Sequence, residues 1–143
     1  MKKVTVFLIF GSLLLACRTQ KSSLLAEDGR LMLGGVPFTG TREQIAKIVS
    51  PDKPCPCDSF SKSKSIVVLE RSLKRPTQTD SVGYAIFVQN KPGYYWKQID
   101  FIPYPAKISS LERVEYKKIT LVLGQDTVQY VLTSRGRWKK TSK

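Results

Sequence analysis

Residues 118–133 alternate between apolar and polar side chains more strictly than any other part of this chain. Ile119, Leu121 and Leu123 fall on one face, with Lys118 and Thr120 opposite. Beyond Gly124-Gln125-Asp126, residues Val128, Tyr130 and Leu132 alternate with Gln129 and Thr133. Successive side chains of an extended strand point to opposite faces, so this period of two reads as an antiparallel hairpin with one buried and one wet face. That pattern commits the chain to a sheet with a core on one side.

The strand period begins earlier, near Ser65. Ile66-Val67-Val68-Leu69 opens a first strand that ends near Arg71, and residues 74–81 read as a polar connection. Residues 82–88 (Val-Gly-Tyr-Ala-Ile-Phe-Val) are apolar on both faces, as a central, covered strand would be. Lys91-Pro92-Gly93-Tyr94 carries Pro and Gly at the central positions of a type II turn. Residues 94–102 can then return antiparallel to the covered strand. The tail, 135–140 (Arg-Gly-Arg-Trp-Lys-Lys), has the composition of a last strand or of a frayed, solvated terminus.

The first half is less regular. Residues 30–38 suit a short hairpin across Gly34-Gly35, with Pro37 restricting its second strand to an edge. Residues 41–49 are the best helix: Thr41 can cap it, Gln44 follows at capping-box spacing, and Ile45, Ile48 and Val49 form an apolar stripe. Pro51 stops it, and the prolines and Ser/Lys run of 51–65 admit only loop. The expected fold is mainly β (or α+β): a small antiparallel sheet of five to six strands with one short N-terminal helix. It is arranged either as a partly open barrel or as an α+β sandwich.

The chain contains no histidine. That removes Ser-His-Asp and Cys-His catalysis, His-ligated zinc and the usual near-neutral proton shuttle. Asp100, Glu112 and Glu115 are not placed together by any pattern, and no Gly-rich phosphate loop or Gly-x-Ser-x-Gly is present. We therefore expect no catalytic residues, no cofactor, no resident metal and no enzyme activity. Cys55-Pro56-Cys57 is the one reactive constellation. It admits a local disulfide, a pair of inert thiols, or a thiol or soft-metal site. Tyr94-Tyr95-Trp96-Lys97 admits core packing or stacking against a ring beside a positive charge; Tyr94 and Trp96 share a face there. Arg135, Arg137, Lys139 and Lys140 around Trp138 would suit an anionic surface.

The N-terminus carries Lys2 and Lys3, a 12-residue apolar run from Val4 to Leu15, then Ala16-Cys17. The run fits the apolar core of a signal peptide, roughly 7–15 residues, and falls short of the about 20 that span a bilayer. Leu14-Leu15-Ala16-Cys17 resembles the lipobox of bacterial lipoproteins, with Leu15 bulkier than usual. The resemblance implies diacylglycerylation of the Cys17 thiol and cleavage before Cys17, the two acyl chains giving a firm anchor. It divides the chain into a leader (1–16), a lipidated Cys with polar tether (17–28) and one basic β-rich domain (29–143). Arg18, where Asp would mark inner-membrane retention in enteric bacteria, favours the outer membrane by the same resemblance.

Net charge is +13 from 24 Lys+Arg and 11 Asp+Glu, falling to about +11 once Lys2 and Lys3 leave. Such an excess favours anionic partners. The expected function is a non-catalytic cell-envelope lipoprotein. Its basic domain would bind an anionic envelope polymer or a protein partner, with no nucleic acid expected. The alternative is a thiol- or soft-metal-handling lipoprotein using Cys55 and Cys57.

Overall fold

The computed structural model describes residues 24–75 and 78–142. Residues 1–23, which hold the apolar run expected to be a leader, Cys17, Arg18 and the first part of the expected tether, lie outside them. The described chain is mainly β, with one short helix and three antiparallel sheets, none closed into a barrel.

A two-residue hairpin comes first: β1 (Met32–Leu33) pairs with β2 (Val36–Pro37) across Gly34-Gly35. Both glycines adopt positive φ, 61° and 80°, as the tight turn requires. Helix α1 (Arg42–Val49) follows, and its start is the expected capping box. The Thr41 amide donates to Gln44 Oε1 at 2.9 Å, and the Gln44 amide donates to Thr41 Oγ1 at 3.3 Å. Two of the amides a helix start leaves unpaired are thereby satisfied. The helix turns Ile45 and Ala46 into the core.

A three-stranded sheet is formed by β3 (Ile66–Arg75), β4 (Gln78–Gln89) and β5 (Trp96–Pro103), in the order β3-β4-β5. A four-stranded meander follows: β6 (Ile108–Glu115), β7 (Lys118–Leu123), β8 (Asp126–Leu132) and β9 (Trp138–Ser142). Val67, Leu69, Ala85, Phe87 and Trp96 pack with Ile45 and Ala46 of α1, Leu31 and Cys57. The opposite face, Ile66, Val68, Ile86, Val88 and Ile102, packs on Leu111, Ile119, Leu121 and Tyr130 of the meander. The molecule is thus layered as helix and hairpin, central sheet, outer sheet. Of the two architectures the sequence admits, the sandwich is the one adopted.

Covering on both faces explains why β4 lacks alternation: Ala85, Ile86, Phe87 and Val88 are each at most 1% exposed. Burying an Ile, Val or Phe contributes about 1.5–3 kcal/mol, so this run is a large share of the core.

Three differences from the expected elements have physical causes. Nine strands are described against the five or six expected: the hairpin read at 30–38 contributes two strands of only two residues each, and β6 gives no pattern. Its buried residues, Ile108 and Leu111, stand three apart since the register shifts between Ile108 and Ser110 and again between Arg113 and Glu115. Second, residues 74–81 are not a plain connection: β3 and β4 run on to Arg75 and Gln78 as a two-stranded ribbon, past Gly83, where β5 ends opposite at Pro103. Third, β5 starts at Trp96 rather than Tyr94, which lies in the preceding turn with its amide bonded to Lys91 O at 3.0 Å.

Candidate functional site

β5 and β9 are edge strands of different sheets, and the sandwich sets them side by side. Asp100 on β5 makes the link. It accepts from the Tyr130 hydroxyl on β8 at 2.6 Å and from Lys140 Nζ on β9 at 3.0 Å. Burial first, then the neighbouring Asp100 carboxylate, push the Tyr130 hydroxyl far above its ordinary value, so it remains a donor.

This juxtaposition brings together cationic residues that are forty positions apart in sequence. Lys97 on β5 and Arg137–Trp138 at the start of β9 line one cleft of about 400 Å³, together with Asp28, Gln98 and Ile99. Beside it, a more open depression of about 600 Å³ is lined by Arg135, Lys139 and Lys140, among others. Arg137 and Trp138 line both, so the two adjoin as one basic groove. Lys140 is committed to Asp100; Arg135, Arg137 and Lys139 are exposed.

Trp138 is fixed in place. Its Nε1 donates to Asn90 Oδ1 at 2.9 Å, and the Arg113 guanidinium lies 5.6 Å from its ring. Arg113 itself donates to Ser65 Oγ at 2.7 Å and to Gln89 O at 3.2 Å, so the ring is anchored to the central sheet.

The same cleft contains a carboxylate, Asp28. Desolvation pulls Asp28 upward, but the Arg30 amide and guanidinium, with the charge of Lys97, outweigh it and hold the carboxyl below its ordinary value. The groove therefore carries its own counter-ion. Asp28 is positioned by Gly29, whose φ is +88°. A Cβ on Gly29 would come within 2.7 Å of Gln98 O, so only glycine lets residues 29–31 run along the β5 edge.

Two residues grouped with this surface in the sequence do not belong to it. Trp96 is fully buried, with its Nε1 donating to Gly40 O at 2.8 Å. It cannot stack on a ligand, because the alternation that pairs it with Tyr94 begins only after the turn. Tyr94 is about half exposed beside Lys91, whose Nζ lies 5.6 Å from the ring. It lines neither part of the groove.

Cys55 and Cys57 are joined by a disulfide, and Cys57 is buried against the helix layer. No group of three or more His, Cys, Asp or Glu side chains among the described residues stands close enough to hold a metal ion. The loop around the pair is organised by Arg42, a residue that sequence reasoning misses. Its Nη1 donates to the carbonyls of Cys57 (2.7 Å), Ser61 (3.2 Å) and Ser63 (3.1 Å), and its Nη2 pairs with Asp58. An arginine in a first helical turn reads as solvated, and nothing in its neighbours signals the buried role.

No family model, no curated protein and no solved structure matches this chain.

Proposed function

We propose that the protein is a lipid-anchored, non-catalytic component of a bacterial cell envelope whose basic groove binds an anionic envelope polymer. The observation that carries the binding half is the convergence of Lys97, Arg137 and Trp138 on one cleft. Two cations flanking a fixed indole suit a chain of sugars or alkyl linkers bearing phosphate or carboxylate, with charge pairing on either side of a stacked or apolar contact. Arg135 and Lys139 continue the positive surface, so a ligand longer than one unit meets charge along its length. The anchoring half rests on Leu14-Leu15-Ala16-Cys17 after a short apolar core, and outer-membrane placement rests on Arg18.

The binding test is titration of the full chain with inorganic polyphosphate and with polygalacturonate, compared with Lys97→Gln/Arg137→Gln. Neither side chain enters the core, so the double variant should fold normally and lose about 10-fold in affinity, with the wild-type interaction weakening as salt rises. An unchanged affinity would remove the groove from consideration. Palmitate labelling separates the anchoring half: label retained by Cys17→Ala would sink the lipoprotein assignment.

A further inference from the structure

A second surface lies at the opposite edge of the central sheet. The Gln89 amide donates to Ser65 O at 2.9 Å, and Ile66 stands opposite Val88. In an antiparallel pair, a residue's amide and carbonyl point the same way, and the direction alternates along the strand. Val67, Leu69 and Arg71 therefore bond to β4, while Ile66, Val68 and Glu70 point away from it. Two bonds agree with this assignment: the Ile66 amide reaches Ser63 O at 3.2 Å, and Glu70 O accepts from Ser50 Oγ at 2.8 Å. Between them, the amide and carbonyl of Val68 and the amide of Glu70 have no partner among the described residues.

These open groups do not face a flat surface. They lie at a cavity of about 300 Å³ walled by Pro54 and Pro56 of the disulfide loop on one side and by Phe60 and Tyr84 on the other. That is the lower end of the size range of ligand sites. The strand itself is uncharged from Ile66 to Leu69. Proteins blunt their free sheet edges with lysine, with short strands or with a covering segment. β9 carries Lys139 and Lys140, and β5 is covered by residues 29–31, through Leu31 N to Trp96 O and Gln98 N to Gly29 O. At Val68, β3 has no charged side chain of its own and no segment bonded to its main chain: the disulfide loop stands beside the edge, with Lys53 paired to Glu70 at one end.

We propose that the β3 edge from Val68 to Glu70 takes an extended peptide of a partner protein as an added strand, with one small apolar side chain seated between Phe60, Tyr84 and the two prolines. Main-chain bonding supplies the affinity in this mode, and the pocket for alternate side chains supplies the selectivity. The walls favour a single strand over a second copy of this chain. The cavity holds one or two side chains, whereas a sheet edge brought in by another folded domain would meet the disulfide loop. The formal charge of +13 favours acidic residues flanking the apolar one.

The test titrates the full chain with the acetylated, amidated peptide Glu-Thr-Val-Thr-Val-Thr-Glu. Two forms of the peptide, N-methylated at alternate residues on one edge or the other, accompany it. The unmethylated peptide should bind with a Kd below about 1 mM. It should slow hydrogen exchange at the Val68 and Glu70 amides, and methylation of one edge alone should abolish binding. Glu70→Pro removes the outward amide without touching any bond to β4, and Glu70→Ala keeps it; the proline variant should bind at least about 10-fold more weakly. The proposal is overturned by failure of the unmethylated peptide to bind, by equal binding of both methylated forms, or by protection that appears at residues 139–141 instead. Protection of Val68 and Glu70 that rises with protein concentration in the absence of peptide would assign the edge to self-pairing and overturn it equally.

Discussion

β3 and β9 present the same hazard, a row of backbone groups on the rim of a sheet, and the chain handles the two rims by opposite means. β9 is short, ends the described chain, and places Lys139 and Lys140 in solvent. Charge keeps another strand away and at the same time creates a cationic groove with Lys97 and Arg137. β3 is long and carries apolar residues from Ile66 to Leu69, all at most 2% exposed. Its protection is a wall: the proline-rich loop and its Cys55–Cys57 bridge, held beside the edge by Arg42. The difference teaches that a defence built from charge leaves an open surface suited to anions. A defence built from a wall leaves a sheltered pocket suited to main chain.

The wall depends on one side chain, and the largest expected effect follows from removing it. Arg42 is 6% exposed and is the donor to the Cys57, Ser61 and Ser63 carbonyls. Arg42→Met keeps the stem and leaves three acceptors without that donor. Loss of a hydrogen bond to a charged group costs about 1.5–3 kcal/mol, and water can reach part of this loop, so about 3 kcal/mol in total is expected. Urea denaturation gives the total, and hydrogen exchange gives its location. Amides of 57–71 should exchange faster while those of β8 and β9 keep their protection. A loss under about 1 kcal/mol, or one spread evenly over both sheets, would dissolve the contrast between the rims.

How much of this was legible in the sequence divides along the same line. Short-range chemistry was readable: the capping box of Thr41 and Gln44, the Gly34-Gly35 turn, the turn at Pro92-Gly93, and the period-two faces of β7 and β8. Each is decided within a few residues. β6 was not, because its register shifts set Ile108 and Leu111 at a spacing that no strand template matches. The placement of Trp96 turned on where the strand begins: with Tyr94 in the turn, the face that Trp96 takes is not set by alternation from Tyr94. The cationic tail was visible as composition, but its meeting with Lys97 depends on the stacking of two sheets, and no local pattern encodes that. Arg42 and Asp100 are the clearest cases: each is polar, unremarkable in its own neighbourhood, and bonded to partners 15 to 40 positions away.

The disulfide is the wall's second support and a smaller one. A bridge between residues two apart in sequence closes a minimal loop, so its effect through the unfolded chain is about 1.5 kcal/mol. Cys55→Ser/Cys57→Ser should lower stability by that amount, loosen the 54–60 segment in hydrogen exchange, and leave polyphosphate affinity unchanged. The same variant tests the thiol alternative. Soft-metal content of the purified full chain, and the envelope phenotype of a deletion strain complemented by it, should match wild type if the pair serves only as a staple.

The smallest effect probes the open rim. Asp28 sits in the groove at a pKa below its ordinary 3.8, held there against desolvation by Arg30 and Lys97. The folded protein therefore binds this proton less readily than the unfolded chain does. The associated stability is present above about pH 4 and is lost as pH falls through the lower folded value. Asp28 is largely exposed, and its influence on an incoming anion is that of a screened surface charge. Asp28→Asn removes the internal counter-ion and should raise polyphosphate affinity about 2- to 5-fold at low ionic strength, with the gain fading as salt approaches 0.5 M. Because the folded carboxyl is held below its ordinary value, it persists as the internal counter-ion through mildly acidic solution, and the advantage of the variant should hold down to about pH 4. A variant that binds polyphosphate no better than wild type would mean that the anion does not enter between Lys97 and Arg137. The charge on the β9 rim would then serve only to keep other strands away.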